Sequence, residues 1–219
     1  MNAVEDYEVY AIRYATLARK ASENFIGGDP HEEGSPLDYF VWLIRSPSRT
    51  FVVDTGFETE VAKRRGRTML LSPDLGLKRL GVDAAEVRDV IITHLHYDHV
   101  GNFAMFPQAR FHLQDKEMQF ATGRHMTQHI FSHAYEVEEV VSMVREVYKG
   151  RVVFHDGDTQ LAQPAVTFHH CAYAVHDGKR PRIVHVGVKV RCVRGEHDPA
   201  DAGVHAHRLQ SHGVAADMM

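Results

Sequence analysis

Cysteine is almost missing from this chain. Among 219 residues only Cys171 and Cys192 carry a thiol, and they form no C-x-x-C pair. That excludes a disulfide framework, and a reducing cytoplasm is the expected compartment. Long apolar runs are missing as well. None approaches the ~18 residues of a membrane span. The first ten residues, MNAVEDYEVY, are acidic and polar, which does not match a secretory signal. Charge of one sign is also lacking: 25 Lys and Arg face 29 Asp and Glu, for a net charge of -4. No basic excess points to nucleic acid, and no Lys/Arg run is dense enough for a membrane surface. The local cluster KRRGR (63–67) reads as a solvated helix end. Internal repeats and low-complexity segments are absent.

What remains suits one globular domain with a real core: 44% of the residues are hydrophobic. Residues 7–17 read as a strand. GGDPHEEGSP (27–36) is turn chemistry, with HEE (31–33) a solvated loop. The apolar runs 38–44 and 50–56 suggest a hairpin around SPSR. Residues 57–80 are helical in parts, broken at Ser72-Pro73. DAAE (83–86) has the form of a capping box, with Asp83 accepting from the Glu86 amide at the start of a short helix. VIIT (90–93) is a buried strand by its continuous apolar run. ARFHLQ (109–114) is another, which makes His112 a packed residue. From Asp115 the pattern turns helical, and in 135–148 Val137, Val140, Val141, Val144, Val147 and Tyr148 form one apolar stripe. Residues 151–170 suggest strand, turn and strand, with the turn at Asp156-Gly157. Strands alternating with helices define an α/β class.

Histidine is the abundant residue. There are 17, of which nine precede residue 165 and eight follow it. The densest group is THLHYDHVGN (93–102), directly after the VIIT strand. His94 and His96 are two apart, so in extended backbone they point to the same side. Asp98 and His99 follow where the chain begins to turn. The natural reading is two neighbouring metals, one held by each pair. Nitrogen and carboxylate ligands suit zinc, with iron, manganese or cobalt as alternatives. Tyr97 lies within the motif and lines the metal loop. His125, His129 and His133 recur at i, i+4 and i+8. On one helix they form a stripe without acidic company, which reads as a polar or pocket-facing edge.

H-x-H-x-D-H resembles the signature of the metallo-β-lactamase superfamily. FVVDTGF and LGVDAAEVRDVIITHLHYDHVGN resemble its Asp-Thr-Gly strand and its helix–strand–metal-loop block. FPQARFHLQDKEM is similar to the strand and helix that follow. Within the superfamily the resemblance is greatest to N-acyl homoserine lactonase-like enzymes, and it covers about residues 7–170. It implies an αβ/βα sandwich with a dinuclear metal site. His94 and His96 would bind one zinc, and Asp98 and His99 the other, with Asp54 behind them. It also implies a small-molecule lactone or ester substrate, with water activated by the metals. Asp98 would pass a proton to the leaving oxygen. Quorum quenching is the associated role. A homodimer is compatible with the resemblance, though no stretch marks an interface. Other readings are a hydrolase of another lactone, ester or thioester, and a catalytically impaired remnant.

Two metals need more than four side chains, even with one shared. The resemblance implies a later G-H-[ST]-x-G turn, a bridging aspartate after the next strands and a last histidine near the C-terminus; after VTFHH (166–170) no G-H-[ST] occurs and no apolar strand ends in Ser-Asp or Gly-Asp. Residues 171–219 hold one Ile, one Leu, one Tyr and no Phe or Trp. RIVHVGVKVRCVR (182–194) alternates like a strand; the rest shows no periodicity and is expected to be poorly ordered. The expected organisation is therefore a family-like domain over 1–170, its C-terminal half incomplete, and a divergent His-rich tail over 171–219. Three accounts fit. The reading frame shifts near codon 171, which the abrupt loss of pattern favours. Alternatively His170, His176 or His185 replaces a ligand, with Asp177 or Asp198 bridging. Or the chain is a degenerate member that binds metal weakly.

Overall fold

The computed structural model describes residues 7–24, 34–162 and 166–168, and beyond them only short strand segments. The elements run β1 (Glu8–Leu17), α1 (Ala21–Asn24), β2 (Leu37–Arg45), β3 (Thr50–Val53), α2 (Thr59–Arg64), β4 (Thr68–Met69) and α3 (Pro73–Arg79). Next come β5 (Asp89–Ile91), α4 (Tyr97–Val100), β6 (Arg110–Gln114), α5 (Asp115–Ala121), α6 (His129–Ser132) and α7 (Val137–Tyr148). Then follow β7 (Val152–His155), β8 (Thr159–Ala162) and β9 (Val166–Phe168). The short segments are β10 (Tyr173–Ala174), β11 (Arg182–Ile183), β12 (Gly187–Lys189), β13 (Val204–His207) and β14 (Ala216–Asp217). Residues 27–33 of the expected loop, and the tail candidates His170, His176, Asp177, His185 and Asp198, lie outside the described residues.

The main sheet has the order β13-β1-β2-β3-β5-β6-β7, with β4 pairing β1 off this path. Strands β1, β2 and β3 pair antiparallel. Strands β3, β5, β6 and β7 run parallel. The hairpin read from 38–56 forms, with Trp42 opposite Val53 and Arg45 opposite Thr50. The parallel strands follow from helical crossovers between them.

Alternation along β5 sorts the core onto two faces. Val90 and the following Ile92 join Val61, Leu77 and Met143 from α2, α3 and α7. Ile91 joins Phe51, Val53, Ile44 and Val166, the last from β9 of a second sheet ordered β14-β12-β9-β8. The main sheet therefore has helices on one face and a second sheet on the other, a mixed α/β sandwich. Val90, Ile91 and Ile92 are fully buried, each stabilising the fold by about 1.5–3 kcal/mol. Val166 is buried against the main sheet at the point where the expected domain comes to its end.

Three local expectations change. DAAE makes a 3-10 turn, Ala84–Glu86, in which the Asp83 carboxylate accepts from Ala85 N–H and not from Glu86. Only two residues, Val87 and Arg88, separate this turn from β5, too few for a helix. The turn at Asp156-Gly157 does not close a hairpin: β7 lies in the main sheet and β8 in the second, where β8 pairs with β9. The apolar stripe of α7 divides. Val140 and Met143 are buried, while Val137 and Tyr148 are 73% and 90% exposed. A stripe that wide spans two helix faces, and only one of them meets the sheet.

Glu139 of α7 illustrates the strain of that packing. Its Oε2 is buried without a hydrogen-bond partner. Burial, with Glu136 and Glu58 nearby, raises its pKa from 4.5 to about 8. Because the folded value lies above the unfolded one, the stability this proton confers is full below pH 4.5. It is lost as pH rises towards 8. Glu139→Gln is therefore expected to stabilise the chain by about 2 kcal/mol at pH 9, after discounting for solvent screening, and to be neutral near pH 4.5. Urea unfolding midpoints at both pH values check this. An equal gain at both would show that the charge is not responsible.

Candidate metal centre

The site forms where two parallel neighbours, β3 and β5, end side by side. Each passes into a loop, and the two loops lock together. Asp54 follows β3 with φ at +60°, the left-handed region that aspartate tolerates better than most side chains. This conformation turns its carboxylate towards the second loop. Asp54 accepts from the Thr93 N–H at 2.8 Å and from the Thr93 hydroxyl at 2.8 and 2.9 Å. It also pairs with Nδ1 of His99 at 2.7 Å. Gly56 (φ +71°) completes the turn; a Cβ there would lie 2.9 Å from the Tyr14 ring.

The second loop is tied at nearly every residue. Thr55 donates its N–H and hydroxyl to the His99 carbonyl, at 2.7 and 3.1 Å. The Tyr14 hydroxyl donates to the Asp98 carbonyl at 2.8 Å. Tyr97 N–H donates to the Ala134 carbonyl at 2.9 Å. The Tyr97 ring is buried. It stacks on Phe57 at 5.6 Å, with the Arg65 guanidinium 4.0 Å from its centroid. Arg67 Nε donates to its hydroxyl at 3.0 Å. Burial pushes the phenol well above its usual range, so it stays neutral.

His96 stands in extended backbone just before α4, the single turn that carries Asp98 and His99. The three imidazoles form one compact cluster. The His94 centroid lies 4.3 Å from that of His96 and 3.9 Å from that of His99. Asp98 Oδ2 is 3.5 Å from His99 Nε2. Nδ1 of His94 is 3.1 Å from the Thr93 hydroxyl. Nδ1 of both His94 and His99 is thus engaged by these groups, which leaves Nε2 of each ring as the nitrogen that could bind a metal.

Electrostatics separate the three rings. Burial, then His99 and His96, holds His94 well below its ordinary pKa. Burial also brings His96 down to about 4. Burial opposes charge on His99 too, yet Asp54 and Asp98 lift it well above the usual range. Burial favours neutral Asp98, but His99 and His96 outweigh it and keep the carboxylate ionised. The neutral His94 and His96 imidazoles beside an ionised carboxylate match the donor chemistry of a zinc-like divalent cation, while His99, whose protonated form Asp54 and Asp98 favour, would release its proton on binding one. Among the described residues no group of three or more His, Cys, Asp or Glu is spaced to hold one ion. The described donors fit such a cation in kind.

Of the other described histidines, His133 lies close enough to His96 to help lower its pKa. His125 belongs to a 3-10 turn, Arg124–Thr127, and stacks on Phe120. His129 opens α6, and His133 stacks on it just past the helix end. The expected single stripe is therefore broken, because the chain changes direction between the two short elements. His112 is packed inside β6 as expected. Its Nε2 lies 3.0 Å from Asp89 and its Nδ1 3.0 Å from His155 Nε2. A cavity of about 520 Å³ is lined by Arg49, Thr50, Arg88, Asp89 and Arg110. Thr50, Asp89 and Arg110 begin β3, β5 and β6, so this cavity lies at the opposite end of the strands from the histidines. Among the described residues no helix is long and apolar enough to cross a membrane.

Histidines and a carboxylate are thus held at the carboxyl ends of parallel strands, backed by a buried aspartate. The chain belongs to the metallo-beta-lactamase superfamily, whose model matches residues 34–181. That match continues past residue 170, where the family pattern was expected to end. The N-acyl homoserine lactonase AttM of Rhizobium johnstonii is 32% identical over 133 residues, covering 53% of this chain and 49% of that protein. A probable metallo-hydrolase of Mycobacterium tuberculosis is 29% identical over 100 residues, covering 40% of this chain and 32% of that protein. The chain spans about half the length of the lactonases it matches. In structure it is similar to a quorum-quenching N-acyl homoserine lactone lactonase (TM-score 0.60, 18% identity, 86% of this chain and 70% of that one). A dizinc quorum-quenching lactonase, AidC, is also similar (TM-score 0.56, 14% identity, 85% and 69%). These structural likenesses establish the fold.

Proposed function

We propose that this chain is a metal-dependent hydrolase that opens a lactone ring of the N-acyl homoserine lactone kind. The observation that carries this reading is the orientation of His94 and His99. Both are held through Nδ1 by Thr93 and Asp54, with ionised Asp98 beside them. Lactonase relatives at 32% identity support the substrate class. His94 and His96 would hold one ion, and Asp98 and His99 a second. Zinc is the first choice, and iron, manganese or cobalt the alternatives. When bound, such ions supply Lewis acidity and a water of lowered pKa.

The role of Asp98 follows from its setting. Its carbonyl is pinned by Tyr14, while its side chain remains about one-fifth exposed and faces the histidines. As water adds to the lactone carbonyl carbon, Asp98 takes up the released proton. It passes that proton to the ring oxygen as the C–O bond breaks. The oxygen stays in the product as the hydroxyl of a ring-opened acid, so nothing leaves the substrate.

The full chain loaded with zinc or cobalt is expected to carry about two ions and to release acid from an N-acyl homoserine lactone. Asp98→Asn is expected to lower turnover about 100-fold. Metal analysis and acid titration check both. Less than one metal per chain with no ring opening would leave a folded remnant of a hydrolase. Cleavage of a simple ester or thioester but no lactone would keep the hydrolase and replace its substrate.

A further inference from the structure

One buried acid near the centre takes no part in the proposed chemistry. Glu117 sits in the first turn of α5 and is 4% exposed. Its Oε1 accepts two hydrogen bonds, from the Leu95 N–H at 2.8 Å and from the Tyr135 hydroxyl at 3.1 Å. Leu95 is the residue between His94 and His96. Tyr135 sets its ring edge-on against His96, with centroids 4.7 Å apart and planes at 89°. One carboxylate oxygen therefore grips both the backbone of the His-Leu-His segment and the aromatic wall behind the second histidine.

Burying a carboxyl is costly unless its partners are in place. An isolated helix start would be served as well by a solvent-exposed acid. Here the acid points inward, away from the helix terminus, to a backbone N–H in a different element. The Leu95 side chain is fully buried on the core side. Its N–H bond to Glu117 and its side-chain packing together fix the backbone on which His94 and His96 are carried. Tyr135 meanwhile limits the rotation of the His96 ring. Without Glu117 the Leu95 N–H loses its acceptor, and the Tyr135 hydroxyl loses the bond that orients its ring.

We propose that Glu117 is a positioning residue for the His94/His96 pair, acting through the Leu95 amide and the Tyr135 hydroxyl. The role is that of an acceptor in a fixed place, so glutamine at this position serves much of it and alanine none. Its consequence for metal affinity rests on the metal-centre reading above. Its consequence for the His96 ring does not, because that contact is made between protein side chains alone.

The test uses the full chain with Glu117→Ala and Glu117→Gln, each in two states. In the metal-free state, histidine-ring nitrogen correlations in NMR read the setting of His96. The hydrogen-bonded His112 and His155 rings report that the fold is intact. With cobalt(II) added, visible absorption reads the affinity and geometry of the bound ion. Glu117→Ala is expected to move the His96 ring signals and to weaken cobalt binding about 10- to 100-fold. Glu117→Gln is expected to restore most of both. His96 signals unchanged in the alanine variant, with His112 and His155 also unchanged, would overturn the proposal. If the unaltered chain binds no cobalt yet its His96 signals move in Glu117→Ala, the metal reading fails and the positioning role stands. If the alanine variant does not fold, Glu117→Asp, which withdraws the carboxylate by one methylene, replaces it. Unmoved His96 signals there would be equally fatal.

Discussion

Asp54→Ala is expected to destabilise the chain by about 3–5 kcal/mol, the range for removing one partner from a buried charged pair. The carboxylate is 3% exposed and serves three donors: the Thr93 N–H, the Thr93 hydroxyl and His99. Alanine leaves all three buried without it. Alanine also meets a φ of +60°, which costs a Cβ-bearing residue about a further 1 kcal/mol. Asp54→Asn separates the effects. It tolerates the left-handed backbone and keeps one acceptor oxygen, so it is expected to recover more than half of the loss. Denaturant unfolding measures both, and a loss below 1 kcal/mol for the alanine variant would refute the clamp. Under the proposed function the same change weakens metal binding about 10- to 100-fold, because His99 loses the bond that orients it.

Gly101→Ala is expected to cost about 3 kcal/mol by crowding. Backbone freedom is not at issue, since φ is -67°. A Cβ at this position would lie 2.9 Å from the Gly56 carbonyl oxygen, from the Phe57 Cα and from the Glu139 carboxylate. Two of these are backbone atoms and cannot swing aside. Relief requires the loop after β3 to separate from α4, and that motion pulls Asp54 away from His99. Gly66 supplies the control. Its φ is +68°, yet a Cβ there meets nothing within 4 Å. Gly66→Ala is expected to cost only about 1–2 kcal/mol of backbone strain. Unfolding free energies that rank the two variants the other way would contradict the steric argument.

Much of the architecture was legible because the local signals agree with one another. The VIIT run, the hairpin around SPSR and the strand over 109–114 all form, since apolar β-branched residues and turn chemistry point the same way. Errors arose where a short pattern had two solutions. DAAE can cap a helix or close a 3-10 turn, and the proximity of β5 selects the turn. The helical spacing of His125, His129 and His133 presupposed one straight helix, which the chain interrupts after Thr127. The stripe on α7 was real, but no rule of periodicity states which side of a wide stripe meets the sheet.

The same division runs through the site. H-x-H-x-D-H marked out four side chains that the structure brings together, because short spacing survives in one dimension. Asp54 could be placed behind the histidines only through the resemblance, and the structure shows the bond it makes. Glu117, Tyr14, Tyr135, Arg65 and Arg67 carried no such signal. An acid in a first helical turn ordinarily reads as a favourable charge at the helix start. Nothing local reveals that Glu117 turns inward to Leu95. The sequence by itself determined the α/β class, the strands and the four clustered donors, because these depend on residue type and short-range spacing. The tertiary structure alone decided which nitrogen of His94 and His99 is held, which acids stand behind them, and which α7 face is buried. Those follow from side chains brought together across 22 to 84 residues of sequence by the pairing of β1, β2, β3, β5 and β6 in one sheet, with separations of 45 for Asp54–His99, 22 for Leu95–Glu117 and 84 for Tyr14–Asp98.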